Sequence, residues 1–221
     1  MDLAQFLALL QKGALYLQRA DLFDRMDPLE RSWGQGNVEA HRGEAHEAQW
    51  ARVRASLRDL EGRNYVHCWH MNEYESAAMW AVYGKSDQSI AITSSLMRLC
   101  SQFATADPME SDKWRVLAAG VQYIDHQTEA VKEDNTMHLL ATKNVSYSHE
   151  NEVRLIMTCP VRQDFRDVVG VYVPLDLNAV IDSIVISPRA LPWFSEVVRD
   201  ATRPYGLERK LRDSFLSTPI V

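Results

Sequence analysis

The chain has 221 residues, a formal net charge of -6 at pH 7 and a hydrophobic content of 46%. This length and composition suffice for a sizeable core and predict a single domain over residues 1–221. The acidic balance argues against broad electrostatic binding of nucleic acid or of an anionic membrane. The 3 cysteines have no CxxC spacing and favour a reducing compartment.

The N-terminal stretch MDLAQFLALLQKGALYL is apolar, but Asp2 stands where a secretory leader carries basic residues. The apolar run is also too short and too interrupted to span a bilayer. These features predict a cytoplasmic protein with no membrane partner.

Hydrophobic periodicity places a helix at the start of the chain. Leu3, Phe6, Leu7 and Leu10 recur at helical spacing, and Gly13 follows where a C-terminal cap belongs. A strand is predicted next, in ALYLQRA, and a loop in DLFDRMDPLERSWGQGN, which is rich in Asp, Pro and Gly.

The segment from Val38 to Leu60 is highly charged, with Trp50, Val53 and Leu57 at helical spacing. We expect a mostly exposed helix over 38–60, forming an insertion or a lid.

The rest of the chain alternates short strands with short helices. Asn72 and Glu75 have the spacing of a capping box before the apolar helix of ESAAMWAVYG, whose Ala and Trp side chains should pack inward. Pro192 is expected near the start of the last helix. Further strands are predicted in NYVHCWH, SIAITSS, VLAAGVQYI, EVRLIMTC, VVGVYVPL and DSIVISP. Because the helices have uneven lengths, we expect an α+β fold with a mixed, largely antiparallel sheet and flanking short helices.

A chemically suggestive group lies in SHENEVRLIM. On one extended strand, Val153, Leu155 and the following Met share the core face, whereas Glu150, Glu152 and Arg154 share the other face and should point outward. That face is either a solvated ion pair of little energetic value or a paired-carboxylate site beside a guanidinium.

Two histidines stand in HCWH. At this spacing on a strand, His67 and His70 point to opposite faces, so no metal is expected there. His67 shares its face with Tyr65 and Trp69 and borders an aromatic pocket.

Three hydroxyl residues close the strand AITSS, where Ser94 or Ser95 is suited to cap the next helix. The sequence contains no GxSxG elbow, GxxxxGK[ST] loop or GxGxxG turn, which removes the commonest hydrolase and nucleotide-binding designs. Arg19 ends an early strand, a position suited to holding phosphate.

The stretches YVHCWHMNEYESAAMWAVYG, KNVSYSHENEVRLI and SIVISPRALPWF resemble a bacterial family described as a domain of unknown function, with an ESxxMWxxYG, ExExR and SPRA pattern over nearly the whole chain. The segment 38–60 has no counterpart in that pattern.

A second resemblance is to the arginine-serine-glutamate branch of the ADP-ribosyltransferase superfamily. It implies that Arg19 anchors NAD, that Ser94 supports the nicotinamide ribose, that Glu152 is catalytic and that Glu150 positions the acceptor. The sequence has ITSS where that branch prefers STS. A carboxylate against a ribose hydroxyl would stabilise the positive charge that develops when nicotinamide leaves. Trp69, Trp80 and Tyr83 are candidates for an aromatic wall, with His67 at its border.

Three functions are therefore considered. The favoured one is an enzyme that uses NAD as substrate, either hydrolysing it or transferring ADP-ribose to a macromolecular acceptor, in a toxin or phage-defence setting. The second is a nucleic-acid or nucleotide processing enzyme that uses His67, Glu75 and Lys143. The third is a non-catalytic binding module in which Glu150, Glu152 and Arg154 form an ion-pair face.

Overall fold

A computed structural model describes residues 1–25, 27–43, 51, 62–84, 86–105, 114–133, 135, 137–159 and 168–217. Most of the predicted lid over 38–60 lies outside these residues. The fold is α+β, as predicted, and its sheets are mixed and largely antiparallel. Among the described residues, no helix has the length and apolar character needed to cross a membrane.

The chain divides into two compact units, each assembled from separated stretches. The large-sheet unit comprises Leu17–Met71 and Ser111–Val171, and the small-sheet unit comprises Met1–Tyr16, Asn72–Glu110 and Tyr172–Val221.

Ten strands and seven α-helices are described. The strands are β1 (Ala14–Arg19), β2 (Asn64–His70), β3 (Ile90–Thr93), β4 (Arg115–Gly120), β5 (Gln122–Ile124), β6 (Thr142–Asn144), β7 (Glu152–Thr158), β8 (Gly170–Pro174), β9 (Ser183–Ile186) and β10 (Leu211–Asp213). The helices are α1 (Leu3–Lys12), α2 (Gln35–Ala40), α3 (Ala77–Tyr83), α4 (Leu96–Thr105), α5 (Met137–Leu140), α6 (Leu177–Val180) and α7 (Pro192–Thr202).

The five-stranded sheet has the strand order β4-β7-β2-β1-β8, and its strands β4, β7 and β2 lie wholly in the large-sheet unit. β7 lies between β2 and β4 and is antiparallel to both. One face of this sheet packs Val66 and Ile156 against Ala20 and Leu140. Ala20 begins a 3-10 helix, Ala20–Arg25, in the stretch expected to be a loop, and Leu140 ends α5. These two short helices therefore cover the face of the sheet that carries Val66 and Ile156.

The small-sheet unit contains β3, β9 and β10, with β9 in the middle. Two expected helix ends are confirmed: Gly13 caps α1 with a left-handed φ of 56°, and Pro192 occupies the first turn of α7. The capping-box prediction for Asn72 and Glu75 is wrong. The cap of α3 is Ser76, whose hydroxyl accepts from the backbone N–H of Met79 at 3.3 Å.

Helix α3 also differs from expectation in its burial. Its sequence AAMWAVY is wholly apolar, yet none of its residues is buried, and Val82 is 54% exposed. An apolar run without polar positions carries no period that could identify an inward face, which is why the expected inward packing of Ala77 and Trp80 was wrong.

Residues Gly34–Asn37 fit closely against the loop at 129–131. The Asn37 side chain bonds both backbone groups of Val131, at 2.7 and 2.8 Å. A Cβ added to Gly34 would lie 2.0 Å from the carbonyl oxygen of Glu129, a distance that no side chain tolerates. Only glycine therefore permits this approach.

Replacing Gly34 with Ala should destabilise the protein by about 1–3 kcal/mol, because backbone must move to relieve the overlap. Gly120→Ala is the matched control, since nothing lies within 4 Å of its added Cβ. Urea denaturation should show a lower midpoint for Gly34→Ala alone, and equal midpoints for the two variants would contradict this account of the loop.

Candidate functional site

Strand β7 is buried on both faces. Val153, Leu155 and Met157 lie in the core as predicted, but Glu152 and Arg154, expected to point outward, are only 7% and 1% exposed. The cause is the position of β7 in the middle of the sheet, with Ala20–Arg25 and α5 covering the second face. The outward-facing prediction is therefore wrong, and so is the solvated form of the ion pair.

Glu150 does not belong to the strand. It ends a 3-10 helix, Val145–Glu150, and Asn151 then turns the chain with a left-handed φ of 40° before β7 begins at Glu152. Asn is one of the few residues that adopt this conformation readily. The turn still leaves the side chain of Glu150 buried.

Lys143 of β6 is the centre of a group of buried charges. Its Nζ binds the carboxylate of Glu150, lies 3.1 Å from Oε1 of Glu152 and 3.8 Å from Oε2 of Glu30. All four side chains are at most 8% exposed. One ammonium group thus contacts three carboxylates, two from the turn into β7 and one from the distant residue Glu30.

Arg154 completes this group from β7. Its Nε donates to Oε2 of Glu152 at 2.7 Å, its Nη2 lies 2.5 Å from Oε1 of Glu30, and its Nη1 donates to the carbonyl of Leu140 at 2.8 Å. We call Glu30, Lys143, Glu150, Glu152 and Arg154 the ion cluster. With every member ionised, the cluster carries one negative charge in excess.

Burial and pairing shift the pKa values of the cluster in different directions. Burial by itself would raise the pKa of Glu152, but Arg154 in the first place, and Lys143 further, lower it to about 2. For Glu30, burial outweighs the same two cations and the pKa is raised. For Lys143, the loss of hydration is outweighed by Glu150 and Glu152, so its pKa is raised. Glu152 is consequently an ionised carboxylate at neutral pH.

Aromatic and polar side chains surround the cluster. The hydroxyl of Tyr123 accepts from the backbone N–H of Glu152 at 2.8 Å, and the ring of Tyr147 lies 4.6 Å from Nζ of Lys143. His70, at the end of β2, is the cross-strand partner of Glu152, and its Nδ1 lies 2.5 Å from the carbonyl oxygen of Glu150.

The predicted residues of the large-sheet unit are divided between the two faces of its sheet. Across the sheet, Arg19 of β1 is opposite Tyr65 of β2, and Tyr65 is opposite Met157 of β7. Arg19 is therefore aligned with Met157, which lies five residues after Glu152 on β7. That separation is about 16 Å along the strand, and the odd number of steps places the two side chains on opposite faces. Arg19 binds Asp21 at 2.6 Å. The structure therefore does not bring Arg19 and Glu152 together.

His67 and Trp69 lie on the same face as Tyr65, as predicted, with the rings of His67 and Trp69 5.5 Å apart. Because Glu152 pairs with His70, this aromatic face is the one opposite the ion cluster. An aromatic wall formed by Trp69 would therefore face away from Glu152.

The other predicted residues belong to the small-sheet unit. Ser94 donates to the carbonyl of Val180 at 2.7 Å, and Ser95 accepts from the backbone N–H of Arg98 at the start of α4, which confirms the capping interpretation for Ser95. Tyr83 ends α3 and is 46% exposed.

The residues of the nucleotide-processing alternative belong to different units and to different sides of one sheet. Glu75 lies in the small-sheet unit, where it accepts from Arg212 and from the backbone N–H of Phe215, both at 3.0 Å. His67 is on the aromatic face, and Lys143 is the one member of that set that lies in the ion cluster.

Sequence reasoning missed Glu30 altogether. It lies in a stretch without hydrophobic period, more than a hundred positions before β7, and no spacing connects it with Arg154. Lys143 was considered only with His67 and Glu75. Lys143 lies in β6 and Glu150 ends the 3-10 helix that follows it, so no single helical or strand period relates the two residues.

No family model matches this sequence, and neither curated proteins nor solved structures yield a match. The chemistry of the ion cluster therefore has to be inferred from its own geometry.

The lowered pKa of Glu152 makes an acid-dependent loss of stability predictable. The ordinary pKa of a glutamate is 4.5, and above this pH the paired carboxylate contributes its full stabilisation. The contribution is lost as the pH falls toward the lowered pKa of about 2. The loss should be about 3 kcal/mol in the free energy of unfolding. Urea titrations between pH 5 and 2 should show a flatter dependence for Glu152→Gln than for wild type. Asp200→Asn, at an exposed site, should keep the wild-type slope, and parallel slopes for all three proteins would contradict the pairing.

Removing Arg154 should be more damaging than removing an exposed arginine. Arg154→Met leaves Glu30 and Glu152 buried without their guanidinium and should cost about 3–5 kcal/mol. Arg203→Met removes an arginine that is 65% exposed and pairs with Asp200 at 3.0 Å, and should cost less than about 1 kcal/mol. Equal losses in chemical denaturation would show that Arg154 is not a structural centre of the sheet.

Proposed function

We propose that this chain is an ADP-ribosyltransferase-like enzyme that breaks the bond between nicotinamide and ribose in NAD, with Glu152 as the catalytic carboxylate. The supporting observation is the state of Glu152: it is ionised, buried, fixed by two cations and placed beside a second carboxylate on the same lysine. The proposal covers both hydrolysis of NAD and transfer of ADP-ribose to a macromolecular acceptor, because both begin with the same cleavage.

The charge of the cluster suits this chemistry. As nicotinamide leaves, positive charge develops on the ribose, and a nearby carboxylate in a low-dielectric site stabilises that charge far more than it would in water. The cluster has one carboxylate more than it has cations, so its net charge has the sign that this transition state requires.

The fixed orientation of Glu152 suits it as well. Lys143 binds one of its oxygens and Arg154 the other, so the carboxylate cannot rotate. Each carboxylate oxygen has a second acceptor site that can receive a ribose hydroxyl. A group held in place before the reaction adds no reorganisation cost during it.

The resemblance implies that Arg19 anchors NAD, but Arg19 has no such role in the reaction that we propose. Arg19 binds Asp21 on the far side of the sheet, so we assign it no part in stabilising the reaction at Glu152. Glu150 keeps its proposed role as the second carboxylate, next to the acceptor. A toxin or phage-defence setting remains part of the proposal through the resemblance alone.

A second candidate is a non-catalytic binding module. It is favoured by the pairing within the ion cluster, because Glu30, Glu152, Lys143 and Arg154 hold one another in a closed set of contacts. In that case the cluster fixes the fold of the large-sheet unit, and the protein acts through another surface.

Nicotinamide release from NAD separates the two candidates. Purified wild-type protein should release nicotinamide, and Glu152→Gln should reduce the rate at least about a hundredfold, the scale on which a preorganised charge contributes to catalysis. Glu133→Gln is the matched control, since that glutamate binds Asn37 and His41 in a separate part of the unit and should retain the wild-type rate.

Thermal unfolding of the same proteins with and without NAD provides the second measurement. A ligand that binds the folded state raises the melting temperature, even where a variant is less stable than wild type. Wild-type protein that neither releases nicotinamide nor is stabilised by NAD would contradict the enzyme proposal and favour the binding module.

A further inference from the structure

His70 has a defined arrangement of its ring protons. Its Nδ1 lies 2.5 Å from the backbone carbonyl oxygen of Glu150, and a carbonyl oxygen can only accept a hydrogen bond. The proton of the neutral ring is therefore on Nδ1, and Nε2 carries a lone pair. Among the described residues, this buried Nε2 has no hydrogen-bond partner.

His70 lies on the same face of the sheet as the ion cluster. His70 and Glu152 are directly opposed on β2 and β7, and opposed residues share one face with their Cβ atoms about 5 Å apart. The titratable and charged groups near the ring are Glu152 on β7 and Glu150 on its 3-10 helix, with Lys143 of β6 bound to both. Cys68 and Arg154 form the next opposed pair on that face.

A purely structural role explains the contact of Nδ1 with Glu150, but it does not explain why the buried Nε2 has no partner among the described residues. The bond to Glu150 uses Nδ1 alone and could be made by an asparagine. A metal shared with the neighbouring histidine does not fit, because His67 lies on the aromatic face of the sheet. What remains is a base fixed through Nδ1, with its side chain on the face that carries the ion cluster and its Nε2 buried without a partner among the described residues.

We propose that His70 is the general base of the reaction and that the acceptor is an oxygen nucleophile, either water or a hydroxyl group. This inference rests on the proposed function. The bond between ribose C1′ and the nicotinamide nitrogen breaks, and its electron pair goes to that nitrogen, which becomes neutral. A new bond forms between C1′ and the acceptor oxygen, and the acceptor proton moves to Nε2 of His70, which becomes an imidazolium.

The electrostatics of the site support this transfer. The cluster places three carboxyl groups against two cations on the face of the sheet that carries His70. An imidazolium formed at His70 would lie on the sheet face that carries Glu152, against the backbone carbonyl of Glu150. Oxygen acceptors have the greatest need for such a base, because water and alcohols hold their protons firmly.

His70→Asn tests the role with the least disturbance of the fold. The Asn amide can still donate to the carbonyl of Glu150 but cannot accept the proton. With water as acceptor, kcat for nicotinamide release should fall about 10²- to 10⁴-fold, KM for NAD should stay within about twofold, and the rise of the rate with pH should disappear. His41→Asn is the control, because His41 also contacts an oxygen atom, Oε1 of Glu133 at 2.9 Å. This variant should retain the wild-type rate and pH profile.

A second measurement does not depend on activity. Nitrogen NMR of the full-length chain should show His70 protonated at Nδ1 and unprotonated at Nε2 in the neutral ring. A proton on Nε2 would overturn the proposed role.

The kinetic outcomes separate the two proposals. If wild type releases nicotinamide and Glu152→Gln does not, but His70→Asn keeps the wild-type rate and pH profile, the role of His70 is overturned and the proposed function stands. If wild type releases none, the proposed function fails and the role of His70 fails with it.

Discussion

A guanidinium without its counter-ions is not tolerated in the middle of a sheet, and this constraint organises the large-sheet unit. Arg154 is 1% exposed, so Glu152 and Glu30 must both reach it. That requirement fixes the position of the loop that contains Glu30. Lys143 is subject to the same requirement, which places β6 and the 3-10 helix that ends at Glu150. Two buried cations thus determine how the loop of Glu30 and the continuous stretch from β6 to β7 lie against each other.

A single carboxylate has a comparable role in the small-sheet unit. Glu75 accepts from Trp80 at 3.3 Å, from Arg212 at 3.0 Å and from Ser214 at 2.5 Å, which connects the start of α3 with the segment after β10. Burial raises the pKa of Glu75, but the hydrogen bonds from Ser214 and Phe215 outweigh that effect and the pKa is lowered. In both units a glutamate with little exposed surface accepts hydrogen bonds from donors in different elements of the chain.

Sequence periodicity identified β7 and its apolar face, because Val153, Leu155 and Met157 recur at every second position, although Ile156 interrupts the polar residues between them. It could not show that the polar face was buried. Glu152 and Arg154 would produce the same alternation on a solvated surface, and the difference lies in Glu30 and in the helices that cover the sheet. The end of α1 at Gly13 was predictable because a helix cap depends only on neighbouring residues. The contacts of Glu30 with Lys143 and Arg154 span more than a hundred positions and leave no local pattern, whereas the other members of the cluster lie within twelve residues of one another.

The ion cluster also limits what kind of ligand group it can hold. Nζ of Lys143 faces three carboxylates, and the guanidinium of Arg154 is bound by two carboxylates and the carbonyl of Leu140. Neither cation is available for an anion, and the excess charge of the cluster would repel one. The part of a ligand that meets this site should therefore be cationic or become so during the reaction. For the NAD substrate that we propose, this part would be the nicotinamide-bearing ribose, and the phosphates would require donors outside the cluster.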